Sequence, residues 1–341
     1  MNRGDIDRNR DFWRTRKAKS LLRDIFDSIS LKWTARLKDK DAIVALYTHG
    51  ILLDEKEAAL NHVYPEAQRG FTKEALRIII QYFLQNGYEF ITPSEIIEKS
   101  SIIGKFVMLT FDDGYFSNSH ALSLLKEFKC PATFFISTRN ILEGKAYWWD
   151  IIYRERARRG VTTNEIRKEI RFLRSRKVEE IDQYIYNNFG DCAHRPISDT
   201  DRPFTINEIR DLAKCQYFHV GNHTHNHSLL SKLPEETIRK EIETAQWEIK
   251  EMTGILPIGI SYPSGLYDER VVRISAELGL KVGMTIWPHK NYLPIDASKN
   301  ELMRLGRYEI DLGRDLIWQL DVIRSDFQPY FWLKNRQIYI K

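Results

Sequence analysis

The chain of 341 residues contains only three cysteines, Cys130, Cys192 and Cys215. They are odd in number, widely separated and outside any CxxC pattern, which excludes a disulfide framework and predicts reduced thiols. No run of eighteen or more apolar residues occurs, so the sequence predicts no membrane-spanning helix. The polar start of the chain lacks the features of a signal peptide, and we therefore expect a cytoplasmic protein or one peripheral on the inner membrane face.

Positive charge is concentrated near the start of the chain, where eleven Lys or Arg and four Asp or Glu lie between Arg8 and Lys40. Apolar residues recur there at roughly helical spacing: Phe12, Trp13, Leu21, Leu22, Ile25, Phe26, Ile29 and Trp33. The pattern predicts a basic amphipathic segment over residues 1–40. Such a helix can pack on the domain with a solvated face, lie on an anionic membrane surface or contact nucleic acid.

From about residue 41 onward, short apolar stretches alternate with helical patterns, which predicts an α/β domain with mainly parallel strands. The predicted strands are AIVALYTH, YEFIT, KFVMLTF, ATFFIS, YFHVGNH, IGISYP and KVGMTI. Seven such strands over this length favour a barrel-like (β/α) arrangement over a short open sheet.

Residues 139 to about 204 are charged and helix-prone without a convincing strand pattern, so they predict a helical insertion between two barrel units. We therefore expect three parts: the N-terminal segment 1–40, a barrel domain over 41–310 that carries the insertion, and a C-terminal helix and tail over 311–341.

Several apolar strands finish in residues that can perform chemistry. These are His49 after IVALYT, Asp112 and Asp113 after VMLTF, His223, His225 and His227 after or near FHVGN, and Ser264 in the YPSG turn. In a barrel of parallel strands the carboxyl ends share one rim, where active sites are assembled from different strands. We expect these residues to meet there.

The HTHNH segment is the strongest metal-binding signal. His223 and His227 fall on one face of a helical turn, and all three histidines share a face if the chain stays extended. One carboxylate would complete a site of two histidines and one aspartate with open positions for water, the arrangement of a catalytic metal. The adjacent aspartates then have an explanation: one binds the metal, and the other is a base for metal-assisted hydrolysis.

TFDDG, a strand ending in HTHNH and a later YPSG turn resemble, in order and spacing, the NodB-homology polysaccharide deacetylases of carbohydrate esterase family four. The resemblance covers roughly residues 41–310. It implies a distorted (β/α) barrel carrying zinc or another divalent ion. It also implies hydrolysis of an N-acetyl group from an amino-sugar polymer or sugar conjugate, with a carbohydrate as the partner and no nucleic acid.

Carried over residue by residue, the resemblance implies that Asp112 is the general base. It implies that Asp113, His223 and His227 are the metal ligands and that Thr224 braces the histidine loop. Because the chain shows no secretion signal, we expect a lipid-linked or nucleotide-linked sugar rather than an extracellular polymer as substrate.

The third motif departs from the family pattern. Many members have an arginine there that orients the base, whereas this chain reads ISYPSG, with Ser261 near that position. Some members of the exopolysaccharide type also lack the arginine, and Arg304 or Arg307 in LMRLGRYEI could supply the missing charge. The backbone N–H of Ser264 would help to hold the oxyanion of the tetrahedral intermediate.

The late Leu-x-His motif that usually supplies the general acid is not evident. A subgroup that acts on poly-N-acetylglucosamine has an early histidine after the first strand, and His49 in YTHG resembles it. His49 is therefore our predicted acid, with a neutral structural histidine as the alternative. His225 either supports the ligands or faces the substrate, while Trp148 and Trp149 either stack on sugar rings or pack within the insertion.

The sequence thus predicts a metal-dependent deacetylase of N-acetylated sugars in cell-envelope or exopolysaccharide metabolism. A hydrolase of a cyclic imide, ureide or formamide would use the same residues. A catalytically inactive carbohydrate-binding relative is the third hypothesis, although the intact aspartates and histidines argue against it.

Overall fold

The computed structural model describes residues 39–53, 72–99, 101, 103–310 and 315–326. One sheet contains the strands β1 Ala42–Thr48, β2 Glu89–Phe90, β3 Lys105–Phe111, β4 Ala132–Ile136, β5 Phe218–Asn222, β6 Gly259–Ser261, β7 Val282–Met284, β8 Asn291–Tyr292 and β9 Arg307–Glu309. The helices are α1 Lys73–Gln85, α2 Pro93–Lys99, α3 Ser119–Glu127, α4 Thr138–Glu143, α5 Trp148–Arg158, α6 Thr163–Leu173, α7 Val178–Phe189, α8 Ile206–Ala213, α9 Glu235–Thr253, α10 Glu269–Glu277 and α11 Leu316–Arg324.

The sheet is mostly parallel and curled. Its strands follow the order β7-β6-β5-β4-β3-β1, with every neighbouring pair parallel. β2 lies parallel beside β3, and β8 pairs with β1 in the antiparallel sense. The seven strands predicted from the sequence are all present as β1 to β7. β8 and β9 were missed because two or three residues are too few to give a periodic signal.

The segment after β8 joins the two ends of this path. Leu305 exchanges backbone hydrogen bonds of 2.9 Å with Gly283 and Thr285, beside β7. Two residues later β9 runs parallel to β1, with Arg307 opposite Ala45. The sheet therefore forms a distorted (β/α) barrel, as the sequence predicted.

The central strands are buried on both sides. All seven residues of β1 are buried, as are six of the seven in β3. Continuous apolar runs of this kind are typical of parallel strands covered by helices. Outside the sheet, α1 is capped by Thr72, whose side chain accepts the N–H of Ala75, and the helix buries one apolar stripe. The polar groups that follow β1, β3 and β5 consequently lie at one rim, where the apolar strands end.

The predicted insertion contains α4 to α7 and, within residues 139–204, no strand. Its apolar core includes Ile151, Ile166 and Ile185 together with Tyr115 and Tyr147. Tyr115 follows directly on the loop after β3, so the insertion packs against the strand end that carries the aspartates.

Residues 41–316 form one compact unit, and residues 39–40 and 317–326 belong to a second. In the second unit the N–H of Lys40 donates to Asp326 at 2.9 Å, and Arg324 lies 3.4 Å from Asp39. The boundaries expected at 40 and 310 stay predictions. Apart from its last two residues, the basic segment 1–40 lies outside the described part of the chain, as do residues 311–314 and 327–341.

None of the described helices combines the length and the apolar character that crossing a membrane requires.

Asn291 fastens the closing segment to β1. Its Nδ2 donates to the carbonyl oxygens of Ile43 and Gly306, both at 3.0 Å, and its Oδ1 accepts the N–H of Gly306 at 2.7 Å. Asn291→Ala removes these three buried hydrogen bonds. We expect the free energy of unfolding to fall by about 2–4 kcal/mol.

Urea unfolding followed by circular dichroism measures this loss. The matched control is Asn207→Ala, which removes an exposed amide whose Oδ1 accepts a hydrogen bond from Arg210. The control should change the free energy of unfolding by less than about 0.5 kcal/mol. Equal effects of the two substitutions would contradict a role for Asn291 in closing the barrel.

Candidate functional site

A cleft of about 800 Å³ opens at the carboxyl ends of the strands. It is lined by all six residues that the sequence analysis named for catalysis or metal binding, namely His49, Asp112, Asp113, His223, His227 and Ser264. They come from the ends of β1, β3 and β6 and from the loop after β5. The parallel sheet thus brings together residues separated by up to 215 positions, from His49 to Ser264.

Asp113, His223 and His227 form a compact group of potential metal ligands. Oδ1 of Asp113 lies 3.3 Å from Nε2 of each histidine, and the three ligand atoms lie within 4.8 Å of one another. That Oδ1 is buried and has no hydrogen-bond partner among the described residues. A buried carboxylate oxygen without a partner is costly, and two imidazoles with one carboxylate suit a divalent ion such as zinc. The residues present therefore fit a metal.

The two imidazoles are oriented by their surroundings. His223 donates its Nδ1–H to the carbonyl oxygen of Ser261 at 2.6 Å, which leaves the Nε2 lone pair directed toward Asp113. The ring of His227 packs against the indole of Trp149, with centroids 4.8 Å apart. Burial, with the charges of His223 and Arg174, lowers the pKa of His227 to about 3 despite the opposing effect of Asp113. His227 is consequently neutral near pH 7, the form that binds metals.

The loops that carry the group adopt strained backbone conformations. Six described residues other than glycine have positive φ, and four are at the site: Asp113 at 73°, Thr224 at 66°, His227 at 55° and Ser264 at 56°. Such conformations cost of order 1–3 kcal/mol each and persist where surrounding contacts enforce them. Thr224 supplies some of these contacts, because its N–H donates to Asn222 at 2.7 Å and its hydroxyl accepts the N–H of Ser228 at 3.3 Å.

Asp112, next to the metal group, is paired with Arg307. Nη1 and Nη2 of Arg307 donate to Oδ1 and Oδ2 of Asp112 at 2.8 and 2.7 Å. The hydroxyl of Ser261 donates to the same carboxylate at 3.1 Å and accepts from Arg307 at 2.8 Å. Burial opposes ionisation of Asp112, but the charges of Arg307 and His223 and the hydrogen bonds from Arg307 outweigh it and hold its pKa well below the usual value. The site therefore contains an ionised carboxylate.

Of the two arginines that the sequence offered for the missing third-motif charge, the structure brings Arg307 to Asp112. Arg304 pairs instead with Glu269 on α10. Ser261 stands beside the guanidinium, in keeping with its place near the missing arginine. No sequence pattern could decide between the two, because only the pairing of β9 with β1 fixes which side chain points inward.

His49 is half-buried at the end of β1 and lines the cleft. Its ring meets that of Tyr47 edge to face with centroids 5.8 Å apart. Burial raises the pKa of Asp112 and of Asp113, and the charge of His49 is one of the smaller contributions that lower it. His49 therefore shares the cleft with both aspartates.

His225 points elsewhere and is not among the residues that line the cleft. Its Nδ1 lies 2.8 Å from Glu248 and 3.1 Å from the hydroxyl of Thr138, which also bonds to Glu248. Its N–H donates to the carbonyl oxygen of Glu241 at 3.1 Å. Of the two roles considered, these contacts favour support of the histidine loop over contact with substrate.

The insertion contributes a hydrogen-bonded aromatic group, of which the sequence pointed only to Trp149. The hydroxyl of Tyr147 donates to the carbonyl oxygen of Asp113 at 2.6 Å, and burial raises its pKa so that it stays a donor. Trp149 donates to the hydroxyl of Tyr115 at 2.8 Å, and Tyr115 donates to Asp150 at 2.6 Å. Trp149 also stacks on Tyr147, so it packs within the insertion, whereas Trp148 is only half-buried on the cleft wall.

Comparison with solved structures shows the same fold in several deacetylases. The Streptococcus pyogenes deacetylase PplD, in complex with acetate, is 18% identical with a TM-score of 0.57, covering 83% of this chain and 99% of that chain. IcaB from Ammonifex degensii is 17% identical with a TM-score of 0.55, covering 83% and 97%. The BpsB deacetylase domain from Bordetella bronchiseptica is 18% identical with a TM-score of 0.53, covering 80% and 98%.

Sequence comparisons give a family and one curated relative. The uncharacterized protein YlxY of Bacillus subtilis (strain 168) is 31% identical over 68 residues, a match that spans 20% of this chain and 21% of that protein. The model of the polysaccharide deacetylase family matches residues 100–283, more than half of the chain and the part that contains both aspartates and the histidine cluster. The chain therefore belongs to the polysaccharide deacetylase family.

Proposed function

We propose that this protein hydrolyses the amide C–N bond of an N-acetyl group on an amino sugar, in a polysaccharide or in a lipid- or nucleotide-linked sugar. The observation that carries the proposal is an ionised, buried Asp112 beside the ligand group of Asp113, His223 and His227 in one cleft. Membership in the polysaccharide deacetylase family supports the reaction type.

Asp113, His223 and His227 would hold one divalent ion, for which we propose zinc because imidazole and carboxylate ligands suit it. When bound, such an ion supplies a Lewis acid that lowers the pKa of a coordinated water and polarises the acetamide carbonyl. The bond from His223 to Ser261 and the packing of Trp149 on His227 fix the two rings in the orientation that this requires.

Asp112 accepts the proton of the attacking water, and Arg307 and Ser261 position its carboxylate for this step. The backbone N–H of Ser264 donates to the oxygen that becomes negatively charged in the tetrahedral intermediate. His49 then donates a proton to the leaving amine. A neutral, structural His49 is the competing assignment, and the activity assay below separates the two.

We also keep the cytoplasmic location, and contact of segment 1–40 with the inner face of a membrane, as proposals. The excess of basic residues in that segment and its amphipathic pattern support the second.

Calorimetric titration of metal-stripped protein with zinc tests the ligand group. We expect one-to-one binding, and Asp113→Ala or His223→Ala should weaken it by more than the roughly 10–100-fold that loss of an outer-shell partner costs. His219→Ala, on β5 and outside the cleft, is the control and should bind zinc like the wild type. Retained tight binding in Asp113→Ala would show that the metal site lies elsewhere.

Acetate release from a defined N-acetylglucosamine oligomer tests the reaction. Asp112→Asn removes the base and should lower kcat/KM by about 10²–10⁴-fold while zinc binding persists.

His49→Ala should lower turnover most for poor leaving groups, and normal turnover would leave His49 a structural role. Activity on formamides or cyclic imides without any on acetylated sugars would favour the alternative hydrolase, and no activity on either would favour a binding protein.

The pH dependence of kcat/KM tests the role of Arg307. Asp112 must be deprotonated to act as base, and in Arg307→Met burial is no longer outweighed by the arginine, so the pKa of Asp112 rises. The acid limb of the profile should therefore move to higher pH by at least about one unit. Arg307→Lys keeps a positive charge beside Asp112, so its acid limb should return part of the way toward that of the wild type.

Arg304→Met is the matched control, because that arginine pairs with Glu269 at the surface and should leave the acid limb in place. Far-ultraviolet circular dichroism confirms that each variant is folded. An acid limb in Arg307→Met that coincides with the wild type would contradict the positioning role.

A further inference from the structure

The loop between α6 and α7 places a cluster of positive charge on the wall of the cleft. Arg174, Arg176 and Lys177 of this loop line the cleft, and Lys232 lines it from the segment between β5 and α9. All four side chains are exposed. Among the described residues, no carboxylate forms an ion pair with any of them.

Two other cations of the same cleft are neutralised. Arg139 pairs with Glu143 at 2.9 Å and Asp182 at 2.6 Å, and Lys145 pairs with Glu143 at 2.7 Å. Of the acidic residues that line the cleft, Glu179 lies closest in sequence to the loop. The wall near Arg174 therefore has an excess of positive charge that no carboxylate of the described residues neutralises by an ion pair.

The loop that carries the cluster is an ordered turn. The N–H of Arg174 donates to Ile170 at 2.9 Å and that of Arg176 to Leu173 at 2.8 Å. Leu173 at the end of α6 and Ile181 in α7 are buried in the core of the insertion. These contacts fix the backbone of the loop. Part of the entropic cost of bringing the positive charges together is therefore met when the protein folds, which favours ligand binding.

We propose that this cluster binds a phosphate or diphosphate ester carried by the same sugar whose acetamide group is hydrolysed. Arginine pairs bind phosphate oxygens with parallel N–H donors, whereas a neutral glycan offers no group to compensate four cations. In a 2-acetamido sugar the acetamide and the anomeric ester stand on adjacent carbons. Arg174 and the candidate ligand His227 line the same cleft, so a substrate of this kind can contact both the cluster and the ligand group.

This inference rests on the proposed function for the sugar and adds the anion. The first test compares kcat/KM for N-acetylglucosamine 1-phosphate with that for methyl N-acetylglucosaminide, its neutral counterpart. The wild type should prefer the phosphate by at least tenfold, and the double variant Arg174→Gln/Arg176→Gln should reduce that preference at least tenfold. Lys168→Gln/Arg171→Gln, which removes two exposed charges of α6 outside the cleft, should leave it within twofold.

Two further substrates distinguish the source of the phosphate. Uridine diphosphate N-acetylglucosamine represents a nucleotide-linked sugar, and farnesyl diphosphate-linked N-acetylglucosamine represents a lipid-linked sugar. If the cluster binds the phosphate of a substrate, kcat/KM for that substrate should fall in the Arg174→Gln/Arg176→Gln variant. The substrate with the higher kcat/KM in the wild type identifies the carrier.

Binding of glucose 1-phosphate, which has no acetyl group, is measured calorimetrically on the metal-loaded protein. At least tenfold weaker binding in Arg174→Gln/Arg176→Gln than in the control variant supports the anion site. Equal rates on phosphorylated and neutral sugars would overturn the inference and leave the proposed function intact. Acetate release from none of the substrates would overturn the proposed function, and the calorimetry would then decide the anion site alone.

Discussion

The carboxylate of Asp112 and the guanidinium of Arg307 meet where water hardly reaches, with 3% and 0% of each residue exposed. Loss of one partner from a buried ion pair typically costs about 3–5 kcal/mol, because it leaves the other charge uncompensated. Arg307 also donates to the carbonyl oxygen of Thr285 at 2.8 Å and to the hydroxyl of Thr110 at 2.9 Å. One side chain thus connects β3, β9 and the residue after β7, so closure of the barrel and ionisation of the candidate base depend on the same interaction.

The candidate metal ligands Asp113, His223 and His227 depend on the pairing of Asp112 with Arg307 through residues that contact both groups. The hydroxyl of Ser261 donates a hydrogen bond to Asp112, and the carbonyl oxygen of Ser261 accepts one from the ring of His223. β6 therefore links the candidate base to one candidate ligand. On the other side, the insertion contacts Asp113 through the hydroxyl of Tyr147 and His227 through Trp149. The barrel and the insertion therefore orient different members of the same group, and the positive φ values of Asp113 and His227 are maintained from both sides.

The side chains of the candidate site and much of the wall of the cleft come from these two different parts of the fold. The barrel supplies the carboxylates and imidazoles from strand ends, as is usual for parallel barrels. The insertion supplies much of the wall of the cleft, including Trp148 and the cations from Arg174 to Lys177. A loop on a packed helical pair can vary in charge without disturbing the strand ends, because its contacts lie within the insertion core.

The sequence by itself determined the strands β1 to β7 and predicted the six residues that meet in the cleft. Both are encoded locally. A long apolar run indicates a strand, and a polar residue directly after it, such as Asp112 after β3 or His223 after β5, indicates a candidate site residue. The sequence could not determine how the barrel closes, because β8 and β9 are too short to give a pattern, and no local signal marks Asn291 or distinguishes Arg307 from Arg304. Only the tertiary structure decided that Arg307 rather than Arg304 pairs with Asp112 and that His225 bonds to Glu248. Those contacts join residues far apart in the chain, and their geometry depends on strand register and on packing that no single segment encodes.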